Sequence, residues 1–177
     1  MSKSKIALLF PGQGAQYVGM GKDLAESYNV AYDVFTAADD ALGFSISQLC
    51  FNGPEAVLTR TENTQPAILT VSLACWAVLE QGGIRPGAAA GLSLGEYAAL
   101  VVAKSFDFST AVCLVHQRGR FMEEAVPAGT GTMAAILGLS REEVVTICQQ
   151  AARSGVVEPA NYNCPGQVVI AGQASAV

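Results

Sequence analysis

The first patterned stretch is Ile6–Phe10, a continuous apolar run halted by Pro11-Gly12. A run of that kind predicts a strand in a buried parallel sheet. Short amphipathic helical patterns follow over 21–27, 29–41, 45–51 and 54–59. A longer helix then starts around Glu62–Pro66 and carries Ile68, Leu69, Leu73, Trp76 and Leu79. Pro66 near its first turn and Gly82-Gly83 at its end are start and stop signals. This helix is apolar nearly all round, which predicts burial, and Trp76 reads as core rather than as a stacking platform. Ala88–Ala90 predicts a second strand, the stretch from Tyr97 to Val102 a helix, and Asp107 opens another helix running to about Ala125.

The pattern changes after residue 126. Pro127–Gly131 is a loop with a shift in composition and a natural hinge. Thr132–Leu137 predicts a strand, and Ser140 with Glu143 forms a capping-box pattern that starts a helix to about Arg153. Two more strands, 156–161 and 167–171, are joined by Tyr162-Asn163-Cys164-Pro165-Gly166. That order, β-α-β-β, is part of a ferredoxin-like unit. The expectation is an α/β chain of two subdomains: a large one over 1–126 built on a parallel sheet, and the start of a small one over 127–177.

Bulk composition narrows the partners. The chain has 177 residues, 51% of them hydrophobic and 14% charged, which is enough for a well-buried globular core. A net charge of −5 argues against a nucleic-acid partner and offers no basic patch to an anionic membrane. Cys50, Cys75, Cys113, Cys148 and Cys164 are odd in number, widely spaced and mostly in apolar surroundings. They fit neither a zinc pattern nor a disulfide framework and suit buried thiols in a reducing, cytoplasmic compartment. No stretch is long and apolar enough to span a bilayer.

The candidate chemistry centres on Gly91-Leu92-Ser93-Leu94-Gly95-Glu96. A serine between two glycines, after a strand and before a helix, reads as a nucleophile elbow. The free N–H groups of such a helix start can receive an oxyanion. The same residues also satisfy a Ser-x-x-Glu capping box, a purely structural reading. The Gly-rich loop Pro11–Gln16 is not a phosphate loop. Gln16 stands where a Walker glycine belongs, and Tyr17 stands where a dinucleotide fingerprint needs glycine or alanine. Arg118 and Met122 are four apart and share a helix face, while His116 and Arg120 point elsewhere. A guanidinium facing the elbow suits a carboxylate; a surface or salt-bridged arginine is the alternative.

Phe10-Pro11-Gly12-Gln13-Gly14, Thr64-Gln65-Pro66-Ala67, Gly91–Tyr97, Gln117-Arg118-Gly119 and Asn161–Gln167 occur in this order. Together they resemble the malonyl-CoA:acyl-carrier-protein transacylases of fatty-acid synthesis, over essentially the whole chain. The resemblance implies a core of α/β-hydrolase-like type. It implies Ser93 as the acylated nucleophile, with Gln13 and the Leu94 N–H as the oxyanion hole. Arg118 is then the clamp for the malonyl carboxylate, with Met122 beside it, and Asn161 and Asn163 line the cleft between the subdomains. The implied partners are malonyl-CoA and the phosphopantetheine thiol of the carrier protein. The implied mechanism is ping-pong and needs no cofactor or metal.

Two departures accompany the resemblance. Leu92 stands where the family commonly has histidine. The family's catalytic histidine and a supporting glutamine lie downstream of the small subdomain, so a missing C-terminal half joins the expected partners. Two other readings remain: a serine esterase or thioesterase, in which Arg118 and Gln13 have no task, and a non-catalytic module that binds the carrier protein.

Overall fold

The computed structural model describes residues 6–126 and 129–177. Part of the expected 127–131 hinge, residues 127 and 128, lies outside the described residues. The chain divides into two units, Met1–Met122 and Glu123–Val177, each with its own core.

In the first unit, β1 (Ala7–Phe10) pairs in parallel with β2 (Ala88–Gly91), Phe10 opposite Gly91. Between them in sequence come α1 (Lys22–Ser27), α2 (Asn29–Leu42), α3 (Ile46–Asn52), α4 (Glu55–Leu58) and α5 (Thr61–Gln81). After β2 come α6 (Gly95–Val102) and α7 (Phe108–Ala125). The core is mostly helical: Phe35, Ile46, Leu58, Leu69, Val112 and Val115 are fully buried. Trp76 packs half-buried against it, as expected of a core residue.

One expectation fails here. The strands alternate between exposed and half-buried positions, and Leu9 is 80% exposed. An apolar run is buried on both faces only where layers cover both. Phe10 packs on the core while Leu9, on the opposite face, meets solvent. The long helix also departs from all-round burial. Asn63–Thr70, Leu73 and Ala74 are buried, but Leu79, Glu80 and Gln81 near its C-terminus are exposed. It begins at Thr61, so Pro66 sits in the second turn, inside the helix.

Four of the buried residues in α5 are polar. Burying such groups is costly unless each finds a partner. The Thr64 hydroxyl donates to the Leu58 carbonyl at 2.6 Å, and Asn63 Nδ2 donates to the Val57 carbonyl at 3.0 Å, tying α5 to α4. Thr70 turns its hydroxyl back to the Pro66 carbonyl at 2.8 Å. Gln65 reaches across to α7.

In the second unit, β3 (Gly131–Leu137), α8 (Arg141–Ala151), β4 (Val157–Cys164) and β5 (Gln167–Gln173) form a sheet in the order β3-β5-β4. The central β5 is antiparallel to both neighbours and buries Val168 and Ile170 with Val144 and Cys148 of α8. The Ser140 capping box forms: the Glu143 N–H donates to Ser140 Oγ at 3.2 Å, and the Ser140 N–H donates to Glu143 Oε2 at 2.8 Å. β4 runs three residues further than expected, leaving Pro165-Gly166 as the turn.

The cysteines are less uniformly buried than expected. Cys50 and Cys148 are buried and Cys113 is half-buried, but Cys75 and Cys164 are exposed. Burial, and to a lesser degree the nearby Asp39 carboxylate, push the Cys50 thiol up to about 12. Among the described residues no cluster could hold a metal ion, and no helix is long and apolar enough to cross a membrane.

Two predictions follow from the buried hydroxyl and the helix starts. Thr64→Val strips the Leu58 carbonyl of its buried hydroxyl partner and should cost about 1–3 kcal/mol of unfolding free energy in urea. Asp107 and Glu143 are held below the ordinary carboxylate values of 3.8 and 4.5, Asp107 by the side chain and N–H of Thr110 and Glu143 by the N–H and hydroxyl of Ser140. A depressed folded value means their stabilisation is present above those ordinary values and is lost as pH falls through the lower folded ones. Urea midpoints measured at stepped pH should therefore drop in acid, and less steeply in the Asp107→Asn and Glu143→Gln variants.

Candidate active site

β2 delivers the chain to Leu92-Ser93-Leu94, and α6 begins at Gly95. Ser93 sits at φ 53°, the left-handed region that a residue with a Cβ enters at a cost of about 1–2 kcal/mol. The turn is closed by Leu92 N–H to the Phe10 carbonyl at 3.3 Å and Gly95 N–H to the Leu92 carbonyl at 2.9 Å. The glycines serve approach rather than rotation. A Cβ on Gly91 would lie 1.9 Å from the Gly95 carbonyl carbon, and one on Gly95 would lie 2.4 Å from the Phe10 oxygen. The strained residue is the serine itself, as a nucleophile elbow requires.

The capping-box alternative is not realised at this turn. No side chain caps α6, and the Glu96 N–H donates to the Ser93 backbone carbonyl at 3.2 Å. The Ser93 hydroxyl is exposed and accepts from Arg118 Nη2 at 2.9 Å. The first N–H groups of α6 are directed inward to Leu92, Ser93 and Leu94. The N–H of Leu94 has no acceptor among the described residues.

Arg118 is brought here by the crossing of α7 over α5. A Cβ on Gly119 would come within 2.6 Å of Glu62 Cα and the Thr61 carbonyl oxygen, so glycine is what lets the two helices approach. Arg118 is half-buried, and its Nη1 donates to Gln65 Oε1 at 2.7 Å. Its Cζ lies 6.0 Å from the Tyr97 ring centroid, within cation–π reach. Among the described residues it makes no ion pair with a carboxylate. Gln65 is fully buried and turns its Nε2 to Met122 Sδ at 3.2 Å.

Ser93, Arg118 and Met122 are thus joined, and Gln65 is the link between the last two. The sequence reading held Gln65 only inside a motif, with no task. The available signal was a primary amide in a helix otherwise patterned for burial, a residue that must find partners. Gln13 lies on the exposed loop after β1, its Nε2 3.4 Å from Thr61 Oγ1. Asn161 and Asn163 lie exposed on β4 of the second unit, with Asn163 Nδ2 donating to Gln167 Oε1 at 3.0 Å.

His116 goes elsewhere, as its angular position on the helix predicts. Its ring meets Phe44 edge-on at 5.3 Å between centroids. It lines a cavity of about 580 Å³ with Phe44, Gln48, Asn63 and Arg120. Burial, reinforced by Arg120 and opposed by Glu62, holds its pKa below the usual 6.5. Among the described residues no imidazole or carboxylate bonds to the Ser93 hydroxyl.

Malonyl CoA-acyl carrier protein transacylase of Escherichia coli K12 is 51% identical over 175 residues, covering 98% of this chain and 57% of the relative. The Bacillus subtilis transacylase is 50% identical, covering 98% and 55%. The structure of the Clostridium perfringens transacylase matches with a TM-score of 0.90 at 46% identity, covering 98% of this chain and 55% of that one. A malonyl-transacylase in complex with a type II polyketide synthase acyl-carrier protein matches with a TM-score of 0.91 at 47% identity, covering 98% and 56%. The chain spans a little over half the length of the curated relatives it matches. The family model for the acyl transferase domain matches residues 7–177, and the chain belongs to that family.

Proposed function

We propose that this chain carries the nucleophile and the carboxylate clamp of a malonyl-CoA:acyl-carrier-protein transacylase. The observation that carries the reading is Arg118, held between the Ser93 hydroxyl and a neutral amide and, among the described residues, in no ion pair with a carboxylate. A half-buried guanidinium with only neutral partners retains its full affinity for an anion. An acyl group with a free carboxylate, bound through its thioester carbonyl at Ser93, brings that anion within reach. A hydrolase of uncharged esters has no use for it.

The reaction runs in two transfers. Ser93 Oγ attacks the thioester carbonyl carbon, and the oxyanion is received by the Leu94 N–H and the Gln13 amide. The C–S bond breaks, CoA leaves as its thiol, and malonyl remains as an oxygen ester on Ser93. The phosphopantetheine thiol of the carrier protein then attacks that ester, and Ser93 recovers its proton. Both half-reactions exchange an ester for a thioester, so neither needs a cofactor. His116, turned to Phe44, is not the base; we place the base in the further length that the relatives possess. Met122 belongs beside the malonyl carboxylate, and Asn161 and Asn163 are further substrate-binding residues. In the same reading the subdomains are 1–126, of α/β-hydrolase-like type, and 127–177, the start of a ferredoxin-like unit. The setting is cytoplasmic fatty-acid synthesis.

Intact-mass spectrometry after incubation with malonyl-CoA tests this. The adduct should fall on Ser93 and vanish in Ser93→Ala, and supplying the relatives' remaining length in trans should accelerate it. Arg118→Ala should weaken malonyl-CoA binding by about 10- to 100-fold, the worth of one or two hydrogen bonds to a charged group, and leave CoA binding unchanged. Release of free malonate with no acyl transfer to the carrier protein, even with that length supplied, would replace transfer by hydrolysis.

A further inference from the structure

A fully buried primary amide has two donors and one carbonyl oxygen to place, and turning it over exchanges them. Gln65 has its oxygen on Arg118 Nη1 at 2.7 Å and its nitrogen on Met122 Sδ at 3.2 Å. Turned over, the amide would set donor against donor at the guanidinium and acceptor against acceptor at the sulfur. A thioether can accept a hydrogen bond but cannot donate one, so Met122 responds to which end of the amide faces it. We propose that Met122 is a positioning residue: its thioether fixes the orientation of the Gln65 amide, and through it the plane of the Arg118 guanidinium.

The spacing makes this possible. Arg118 and Met122 are four apart on α7 and present one face to Gln65 of α5. The hydrogen bonds then have one direction. Gln65 donates to Met122, and Arg118 donates both to Gln65 and to Ser93. A guanidinium is planar, so anchoring Nη1 to a fixed oxygen sets the plane in which its other N–H groups lie. Acyl groups are then selected by whether their carboxylate lies in that plane. This rests on the reading of Arg118 as the malonyl clamp. It gives Met122 a task distinct from lining a pocket wall, for which any apolar side chain of its size would serve.

The test is a double-mutant cycle on malonyl-CoA binding, measured calorimetrically in the Ser93→Ala chain so that no acyl transfer intervenes. Met122→Leu keeps the bulk and removes the acceptor. It should weaken malonyl-CoA binding by about 3- to 10-fold, the size of one neutral hydrogen bond, and leave CoA binding unchanged. In a Gln65→Leu background no amide remains to be oriented and no carboxylate competes for Arg118, so Met122→Leu should add no further loss. A loss of equal size in both backgrounds, or no loss in the first, overturns the proposal.

A second readout needs no ligand and separates this inference from the function it rests on. In the nitrogen-15 spectrum the Gln65 side-chain amide protons should be distinct and slow to exchange. In Met122→Leu they should exchange faster and average. An unchanged Gln65 amide in Met122→Leu overturns the positioning role even if malonyl-CoA binds, whereas failure of the parent chain to bind malonyl-CoA beside an altered amide overturns only the clamp.

Discussion

The first unit depends on a turn with no room for side chains at its two ends. Between Gly91 and Gly95 the backbone comes so close that a single added carbon would overlap a carbonyl. The same crowding presses Gly95 against the end of β1. Strand, turn and helix are thereby fixed to one another through backbone contact alone. Ser93, at the apex, takes the left-handed conformation. Its hydroxyl is turned outward as a result of packing beneath it, and the helix start is left uncapped by any side chain.

A second close approach delivers the charge. Gly119 lets α7 lie against the first turn of α5, so Arg118 meets Gln65, buried in the second turn of that helix. The buried polar residues of α5 divide the work. Asn63 and Thr64 fasten α4 beneath the helix, Thr70 satisfies itself within it, and Gln65 projects toward α7. Replacing these contacts by apolar ones would keep a core but would not specify where the guanidinium points.

Much of this was legible in the residue pattern, and the failures have physical causes. Helix positions followed from periodicity and from Gly82 and Ser140, because those signals are local, whereas Pro66 lies inside α5 rather than at its start. The elbow was legible because glycine on both sides of a serine has few other uses at a strand-to-helix turn. The exposure of Leu9 was not, since an apolar run says that a strand can be buried but not how many layers cover it. The end of β4 was missed because Tyr162, Asn163 and Cys164 read as a loop, whereas the pairing of Tyr162 and Cys164 with β5, across an irregularity at Asn163, carries the strand onward. Gln65 escaped notice because its partners lie 53 and 57 residues away, and no local pattern reports them.

The partners chosen for Arg118 have an electrostatic consequence. An arginine aligned by a carboxylate would have its charge neutralised, and an incoming anion would first have to displace that partner. An amide and a hydroxyl align the group and leave its monopole intact. The guanidinium therefore presents a positive potential whose direction is set by the two acceptors that hold it, Gln65 Oε1 and Ser93 Oγ. An anion reaching Arg118 would displace no carboxylate partner among the described residues, so its attraction would be spent on binding rather than on rearrangement.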